Sequence, residues 1–345
     1  MSTVMPERAA AGAREDNAQR RSTVIYPAYA ALALFLLVYP TFANPFFLVQ
    51  IGAQTLLLGM IALSLTWLAG YGGMVSLAQM TVAGCAGYML ALFGHNNVGV
   101  GLDWPWWAAL PIALFIAILF GTFTGALAVR TRGIYTIMIT LAIGTAFFYL
   151  TRQNYTIFNG YNGFNGVLPP PLFGVDWRAP VPFYYLALAF GVLSYAAVLY
   201  LSRSPFGLAL QGIRDNPRRM EALGFNVTAH RIAAYAVAAV IAAFGGVLLV
   251  WFNGRISPGT IAVGPIIDIL VIAVIGGLAH PLGPFLGALV FVLLDNFAIA
   301  LIAPERFNLV IGTAFLLIVL FSPDGLIGLW KKLKNRLASL EEPRS

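Results

Sequence analysis

Charged residues and cysteine are scarce in this chain, and each shortage excludes a class of protein. Only 10% of the 345 residues are charged and 60% are hydrophobic, whereas about a quarter of an average soluble domain is charged. So few charges cannot cover a water-facing surface, which excludes a soluble globular protein. The single cysteine, Cys85, excludes an intrachain disulfide and a thiolate metal cluster, and its small apolar neighbours indicate that it fills space.

The residue patterns that usually perform catalysis are also missing. The sequence has no G-x-x-x-x-G-K-[ST] phosphate-binding loop and no G-x-S-x-G nucleophile motif. All lysines lie at 331–334, and His95, His230 and His280 lack the spacing of a metal site. We therefore expect no enzymatic activity, no cofactor and no metal.

Long apolar runs dominate what is present. Ala28–Phe42, Ile112–Val129 and Phe183–Leu201 approach the ~20 residues that cross a bilayer as a helix. We predict an all-α, polytopic membrane helix bundle with about ten transmembrane spans. For two of these spans, 74–93 and 265–279, a broken or re-entrant helix is the alternative. The predicted spans are 27–43, 46–69, 74–93, 105–129, 133–150, 182–201, 231–252, 265–279, 284–302 and 308–327. Gly72-Gly73 and Gly276-Gly277 each precede a helix rich in small residues, which predicts two weakly similar halves.

Basic residues flank these apolar runs instead of forming one patch, so the net charge of +7 predicts no nucleic-acid partner. Because cytoplasmic ends carry the excess of arginine and lysine, we place both termini in the cytoplasm and expect contact with membrane lipid. The predicted parts are a cytoplasmic tail (1–25), a transmembrane domain (26–328) with a cytoplasmic loop at 202–230, and a basic tail (329–345). The predicted outer loops are 94–104, 151–181 and 253–264.

One compact polar segment interrupts the apolar chain: SPFGLALQGIRDNPRRMEALGFNVTAHR, residues 204–231. Ser204-Pro205 ends a span, Pro217 suits the first position of a helix, and Gly224 suits the position just after one. These signals predict two short helices on the cytoplasmic face. A solvated connector explains the arginines of the segment, whereas a docking element for a cytoplasmic partner also explains its regularly spaced apolar residues.

The segment resembles the coupling segment of permease subunits of bacterial branched-chain amino-acid ABC importers, of the LivM type. S-P-F-G-x-A-L-x-x-I-R-D-N-P followed by E-A-L-G is similar to the form found in that family. So are G-Y-G-G-M-V-S-L-A-Q at 70–79, R-G-I-Y-T-I-M-I-T-L-A at 132–142 and V-I-G-G-L-A-H-P-L-G-P-F-L-G-A at 274–288. The resemblance covers about residues 46 to 327.

The resemblance implies an ABC permease in the bacterial inner membrane that takes its energy from partners. Those partners are a second permease subunit of a different sequence, two cytoplasmic ABC ATPase subunits and an extracytoplasmic substrate-binding protein. The ATPase subunits would contact the coupling segment, with arginines orienting it and apolar residues, Met220 among them, supplying most of the contact. The predicted contact residues are Phe206, Gly207, Leu208, Ile213, Arg214, Asp215, Arg218, Arg219, Glu221, Ala222 and Gly224.

Polar residues in the spans are candidates for lining the pathway of the cargo. Ser76 and Gln79 follow the first glycine pair, and Thr136 and Thr140 are one helical turn apart. Interhelical hydrogen bonds are the alternative role for these four residues. Asp268 is a further candidate, with capping of a helix end as its alternative.

The sequence leaves two questions about the function open: which cargo is moved, and whether transport needs partners. Residues 159–166 read N-G-Y-N-G-F-N-G where the family usually carries a T-G-G-type stretch, and similar permeases serve urea or short amides instead of amino acids. A stand-alone channel or secondary transporter would need no partner, and a membrane scaffold would move nothing.

Overall fold

The computed structural model describes residues 31, 33–131, 133–171 and 174–301, with residues 312, 313, 316, 325, 326 and 328 beyond them. The predicted tails at 1–25 and 329–345 lie outside the described residues, as does most of the predicted last span. The chain divides into two units, Met1–Leu48 and Val49–Ser345. In the first unit the structure describes helix α1, Ala33–Phe42, which falls within the predicted span 27–43.

Helices make up most of the described residues. Five of them are long and apolar enough to cross a membrane, so a polytopic helical membrane protein is confirmed, while the number of spans and the two similar halves stay predictions. The helices are α2 (Phe47–Tyr71), α3 (Gln79–Phe93), α4 (Trp106–Ala128), α5 (Ile134–Gln153), α6 (Tyr155–Phe158), α7 (Pro180–Arg203), α8 (Pro205–Asp215), α9 (Pro217–Ala222), α10 (Val227–Asn253), α11 (Val263–Gly276) and α12 (Gly283–Leu301). Strands β1 (Phe164–Asn165) and β2 (Arg255–Ile256) form one antiparallel pair.

The two spans that the sequence marked as open to being broken are short in the structure. Helices α3 and α11 have 15 and 14 residues, which gives lengths of about 22 and 21 Å, less than the ~30 Å of a bilayer core. Helix α3 begins at Gln79 and not at Met74 as predicted, because residues 74–78 leave helical geometry after Gly73, whose φ is +65°. This non-helical stretch, residues 74–78, is called the broken segment below.

Helix α10 begins four residues earlier than predicted. Asn226 caps it, since the Asn226 side-chain oxygen accepts a hydrogen bond of 3.0 Å from the backbone N–H of Ala229. An asparagine at this position satisfies a helix N–H that has no partner within the helix. The connection between α7 and α10 is therefore residues 204–226.

The core of the second unit forms around α2, α3 and α10. Almost every residue of α3 is buried, whereas α4 buries one face made of small residues at spacings of four, including Ala113, Ala117 and Gly121. A Cβ on Gly121 would lie 2.5 Å from the Cβ of Ala239 on α10. The small-residue pattern of the sequence thus serves close helix packing, which lipid alone would not drive.

The three predicted outer loops come together at one end of the unit. Strand β1 pairs with β2, Asn97 donates from its backbone to the carbonyl of Asn165 over 2.9 Å, and Gly166 donates to the carbonyl of Gly254 over 2.9 Å. The 204–226 connection lies at the other end of α10, whose 27 residues span about 40 Å. The structure thus has two opposite polar ends.

Candidate functional site

The polar segment of the sequence folds into the two short helices that were predicted. Ser204 caps α8 by accepting a hydrogen bond from the backbone N–H of Gly207. Asn216 ends α8 and caps α9, accepting from the N–H of Arg219 over 3.1 Å, and Pro217 opens α9 as predicted. We call residues 204–226 the coupling segment, a name that describes its proposed role.

Gly224 ends the second helix as predicted. Its φ is +88°, a left-handed conformation that glycine adopts without steric cost. Gly224 donates from its backbone to the carbonyl of Glu221 over 2.9 Å, and Phe225 donates to that of Met220 over 3.0 Å. This pair of bonds is a Schellman motif, so the segment turns sharply back toward α10.

One face of the coupling segment is fixed to the rest of the chain. The Phe206 ring stacks between the Trp67 ring and the His230 ring, with centroids 6.4 and 5.8 Å apart. Leu210 and Ile213 are fully buried. The prediction that Ile213 contacts an ATPase subunit is therefore corrected, because this side chain packs inside its own chain.

Gly207 needs the same correction. It is buried, and a Cβ there would meet the backbone of Leu201 at the end of α7. Gly207 therefore lets α8 approach α7 closely and offers no surface to a partner. Phe206, stacked between two rings, likewise serves mainly to fix the segment.

The opposite face of the coupling segment is exposed. Leu208 and Leu223 expose 59% and 67% of their surface. The predicted contact residues Asp215, Arg218, Arg219, Glu221, Ala222 and Gly224 are exposed as well. Contact of this face with an ATPase subunit stays a prediction.

Arg214 points to its own chain. Its Nη1 donates to the backbone carbonyl of Gly70 and its Nε donates to Asp215 Oδ1 over 2.9 Å. The side chain nevertheless keeps 40% of its surface exposed, so the predicted role of Arg214 in orienting the segment against ATPase acids stays a prediction. Its contact with Gly70 lies near the end of α2. No sequence pattern could have shown this contact, because 144 residues separate its partners.

The two ends of the unit differ in their arginines. The outer-loop end carries Arg152, Arg178 and Arg255, together with Asp103 and Asp176. The end that carries the coupling segment has the larger set: Arg130, Arg203, Arg214, Arg218, Arg219 and Arg231. This asymmetry is the one that the positive-inside rule associates with a cytoplasmic end.

The predicted pathway residues Ser76 and Gln79 lie in and just after the broken segment, inside the bundle. Both are buried, and Gln79 Oε1 accepts a hydrogen bond of 3.0 Å from the Ser64 hydroxyl. The Ser76 hydroxyl accepts from the backbone N–H of Ala78 over 3.3 Å. These bonds favour the alternative role as interhelical and turn contacts, and a pathway role stays a prediction.

Thr140 fixes α5 to the broken segment, whereas the Thr136 hydroxyl donates to the carbonyl of Thr131 over 3.2 Å. The Thr140 hydroxyl oxygen accepts a hydrogen bond of 3.0 Å from the backbone N–H of Leu77, and its proton goes to the carbonyl of Thr136, also at 3.0 Å. The broken segment thus gains from Thr140 a partner for an N–H that no helix satisfies.

A cavity of about 370 Å³ lies where the broken segment, α5 and the coupling segment meet. We call it the inner cavity. Of the predicted pathway residues, Thr136 lines it. The other lining residues are Gly73, Met74, Val75, Thr131, Gly133, Ile134, Ile137, Pro217 and Arg231.

Asp268 does not cap a helix, contrary to one of its two predicted roles. It is the sixth residue of α11, which begins at Val263, two residues earlier than the sequence indicated, and Ala262 occupies the capping position. Asp268 is half-buried, and its role in the pathway stays a prediction. Among the described residues, no group of three His, Cys, Asp or Glu side chains is arranged to hold a metal ion.

Comparison with known proteins decides the family. The model of the family described as "Branched-chain amino acid transport system / permease component" matches residues 47–320, which is most of the chain. The chain belongs to this family. The permease therefore shares its fold and its general role with transport subunits, in agreement with the resemblance seen in its motifs.

The permease is similar to curated relatives along most of its length. It is 27% identical to the high-affinity branched-chain amino acid transport system permease protein LivM of Escherichia coli, covering 85% of this chain and 74% of the relative. LivH of Salmonella typhimurium is 24% identical, over 78% of this chain and 90% of the relative. The nucleoside ABC transporter permease protein NupC of Lactococcus lactis subsp. cremoris is 33% identical over 33% of this chain and 35% of the relative. No solved structure matches the permease.

Proposed function

We propose that this permease is the transmembrane subunit of an ATP-driven importer for branched-chain amino acids. It forms part of the translocation pathway with a second permease subunit of different sequence. Two cytoplasmic ATPase subunits supply the energy, and a substrate-binding protein delivers the cargo at the opposite face. Both termini lie in the cytoplasm of a bacterial cell.

The coupling segment is the observation that carries this proposal. A solvated connector has no reason to hold two capped helices against the bundle with one face buried and apolar residues exposed on the other. A docking element needs this construction, because its exposed face must stay in a fixed position for a partner to push. Apolar area contributes most of the affinity of such a contact, since exposed ion pairs contribute little.

The end that carries the outer loops supports the proposed delivery of cargo by a substrate-binding protein. The linked loops there enclose a cleft of about 540 Å³ with an aromatic and proline-rich lining that includes Trp104, Trp106 and Trp251. His95 Nδ1 and Asp103 Oδ1 lie 2.8 Å apart at its edge. An extracytoplasmic protein that delivers cargo would dock at this end.

Reconstitution in liposomes tests the proposal. The permease is inserted with its partner permease, the ATPase subunits and the binding protein, and uptake of radiolabelled leucine, isoleucine and valine is measured with and without ATP. We expect uptake only when all components and ATP are present. Flux through this chain alone without ATP would identify a channel or secondary transporter and overturn the proposal.

A different cargo is the second candidate function. Residues 159–166 depart from the family pattern, and their first part forms a turn in which Asn159 Nδ2 donates to the carbonyl of Gly163 over 2.7 Å. A relative named as a nucleoside permease matches part of the chain. Competition of leucine uptake by excess urea, a short amide or a nucleoside separates these cargoes.

A further inference from the structure

The coupling segment contacts the bundle at a glycine-rich turn, Gly70–Gly73, at the end of α2 where it leads into the broken segment. Arg214 of α8 donates through Nη1 to the carbonyl of Gly70. A Cβ on Gly73 would lie 2.6 Å from Cγ of Arg214, and one on Gly72 would lie 3.7 Å from Cδ1 of Leu210. The glycines of this turn therefore leave room for the coupling helix to lie directly against the backbone.

The contact has a geometry that suits arginine. The planar guanidinium presents its donors in a fixed fork, and here one arm of the fork meets a backbone carbonyl while Nε meets Asp215 Oδ1 over 2.9 Å. Asp215 belongs to the same helix, so this ion pair directs the guanidinium toward the turn. A lysine carries its three donors on a single nitrogen, so it could not present them in the fixed fork of a guanidinium.

The Gly70–Gly73 turn leads directly into the parts of the bundle that a cargo would meet. Gly73 and Val75 line the inner cavity, and Leu77 is hydrogen-bonded to Thr140 of α5. On its other side, a Cβ on Gly70 would meet the carbonyl of Leu278, within the second glycine turn between α11 and α12. A displacement of the Gly70–Gly73 turn would therefore move the wall of the inner cavity. It would also press on the glycine turn between α11 and α12.

Resting on the proposed function, we propose that Arg214 is the positioning residue that fastens the coupling segment to the Gly70–Gly73 turn and so transmits movement of the segment to the inner cavity. The exposed face of the segment meets the ATPase subunits, and Arg214, on the same helix and bonded to Gly70, passes the displacement on. Coupling between separated sites requires such a contiguous physical connection or a shared equilibrium.

The first test measures the amount of leucine imported per ATP hydrolysed in the reconstituted complex. Arg214→Ala is expected to lower this ratio by at least about tenfold, because loss of one hydrogen bond to a charged group corresponds to a factor of about 10 to 150, while ATP hydrolysis continues. Arg214→Lys is expected to recover part of the ratio. The matched control is Arg130→Gln, which removes an exposed positive charge at the same end and is expected to leave the ratio unchanged.

A second perturbation reaches Arg214 from the opposite side of the contact. Gly73→Ala pushes a methyl group against Cγ of Arg214 and is expected to lower the ratio as well. In the Arg214→Ala background that clash disappears, so the two substitutions together should cost less than the product of their separate effects. Independent, multiplicative effects would show that Gly73 acts through backbone strain alone and would contradict the contact.

A third measurement follows the cavity wall without relying on transport. The only native cysteine of this chain, Cys85, is buried, so Cys85→Ala provides a background in which Val75→Cys is the only thiol of the chain, and N-ethylmaleimide labelling is measured on this chain alone. We expect the labelling rate of the assembled complex to change when ATP and vanadate trap the ATPase subunits. Arg214→Ala should abolish that change, and Arg130→Gln should preserve it.

The outcomes separate the inference from the proposed function. Absence of ATP-dependent uptake by the unsubstituted complex would overturn the proposed function itself. Normal uptake by that complex, with an unchanged import ratio and an unchanged labelling response in Arg214→Ala, would overturn the role of Arg214 alone.

Discussion

The Schellman turn at Gly224 stabilises α9, and the size of this stabilisation can be measured. Gly224→Pro removes the N–H that donates to Glu221 and sets φ near −65°, far from the +88° that the turn requires. The hydrogen bond from Phe225 to Met220 is lost with the turn. At about 1 kcal/mol for each bond, the substitution destabilises α9 by about 2 kcal/mol.

Two milder substitutions give a graded series at the same position. No atom lies within 4 Å of the place where a Cβ on Gly224 would stand, so alanine costs only the conformational penalty, about 1 kcal/mol. Asparagine tolerates left-handed backbone better than alanine and should cost less. The stability of α9 is expected to fall in the order glycine, asparagine, alanine and proline at position 224.

Limited trypsin digestion of the permease in detergent measures the stability of α9 directly, because cleavage after Arg218 or Arg219 requires α9 to open. When opening is fast, the cleavage rate follows the population of the open form. About 2 kcal/mol then corresponds to about a 30-fold faster cleavage for Gly224→Pro, and about 1 kcal/mol to about a fivefold increase for Gly224→Ala. Equal rates for proline and glycine, or a faster rate for asparagine than for proline, would refute the assignment of the turn.

Two further predictions concern the fixed parts of the molecule. Thr140→Val leaves the buried N–H of Leu77 without its acceptor and should lower the free energy of unfolding by about 1 to 3 kcal/mol, seen as a lower thermal midpoint. Thr145→Val, which loses only a hydroxyl bonded within α5, is the control and should change the midpoint less. Leu223→Asp should abolish co-purification of the ATPase subunits without lowering the thermal midpoint of the isolated permease. Ile213→Ala should instead lower the free energy of unfolding by about 2 to 5 kcal/mol, and the thermal midpoint with it. Equal behaviour of the two variants would contradict the assignment of inner and outer faces.

Much of the coupling segment was predictable because its signals are local. Ser204 and Pro205, Asn216 and Pro217, and Gly224 each determine the start or end of a helix through backbone bonds a few residues away. Hydropathy likewise predicted the bounds of most described helices to within a few residues, since a bilayer demands a minimum apolar length from any helix that crosses it.

The burial of Ile213 and the direction of Arg214 were beyond the sequence. In an amphipathic segment of a membrane protein, apolar spacing shows that one face is buried but does not say whether the burial is in its own chain or in a partner. The structure places Leu210 and Ile213 against the bundle and leaves Leu208 and Leu223 exposed. Polar residues in the spans posed the same problem, because a threonine that lines a pathway and one that bonds a neighbouring helix have the same local pattern.

The sequence alone determined that this protein is a helical membrane protein with a folded polar segment at one end, since apolar length, basic flanks and helix caps act over short distances along the chain. Only the tertiary structure decided that the segment is fastened to the Gly70–Gly73 turn. That contact joins residues 144 positions apart, and which distant backbone carbonyl meets a guanidinium depends on how the helices pack.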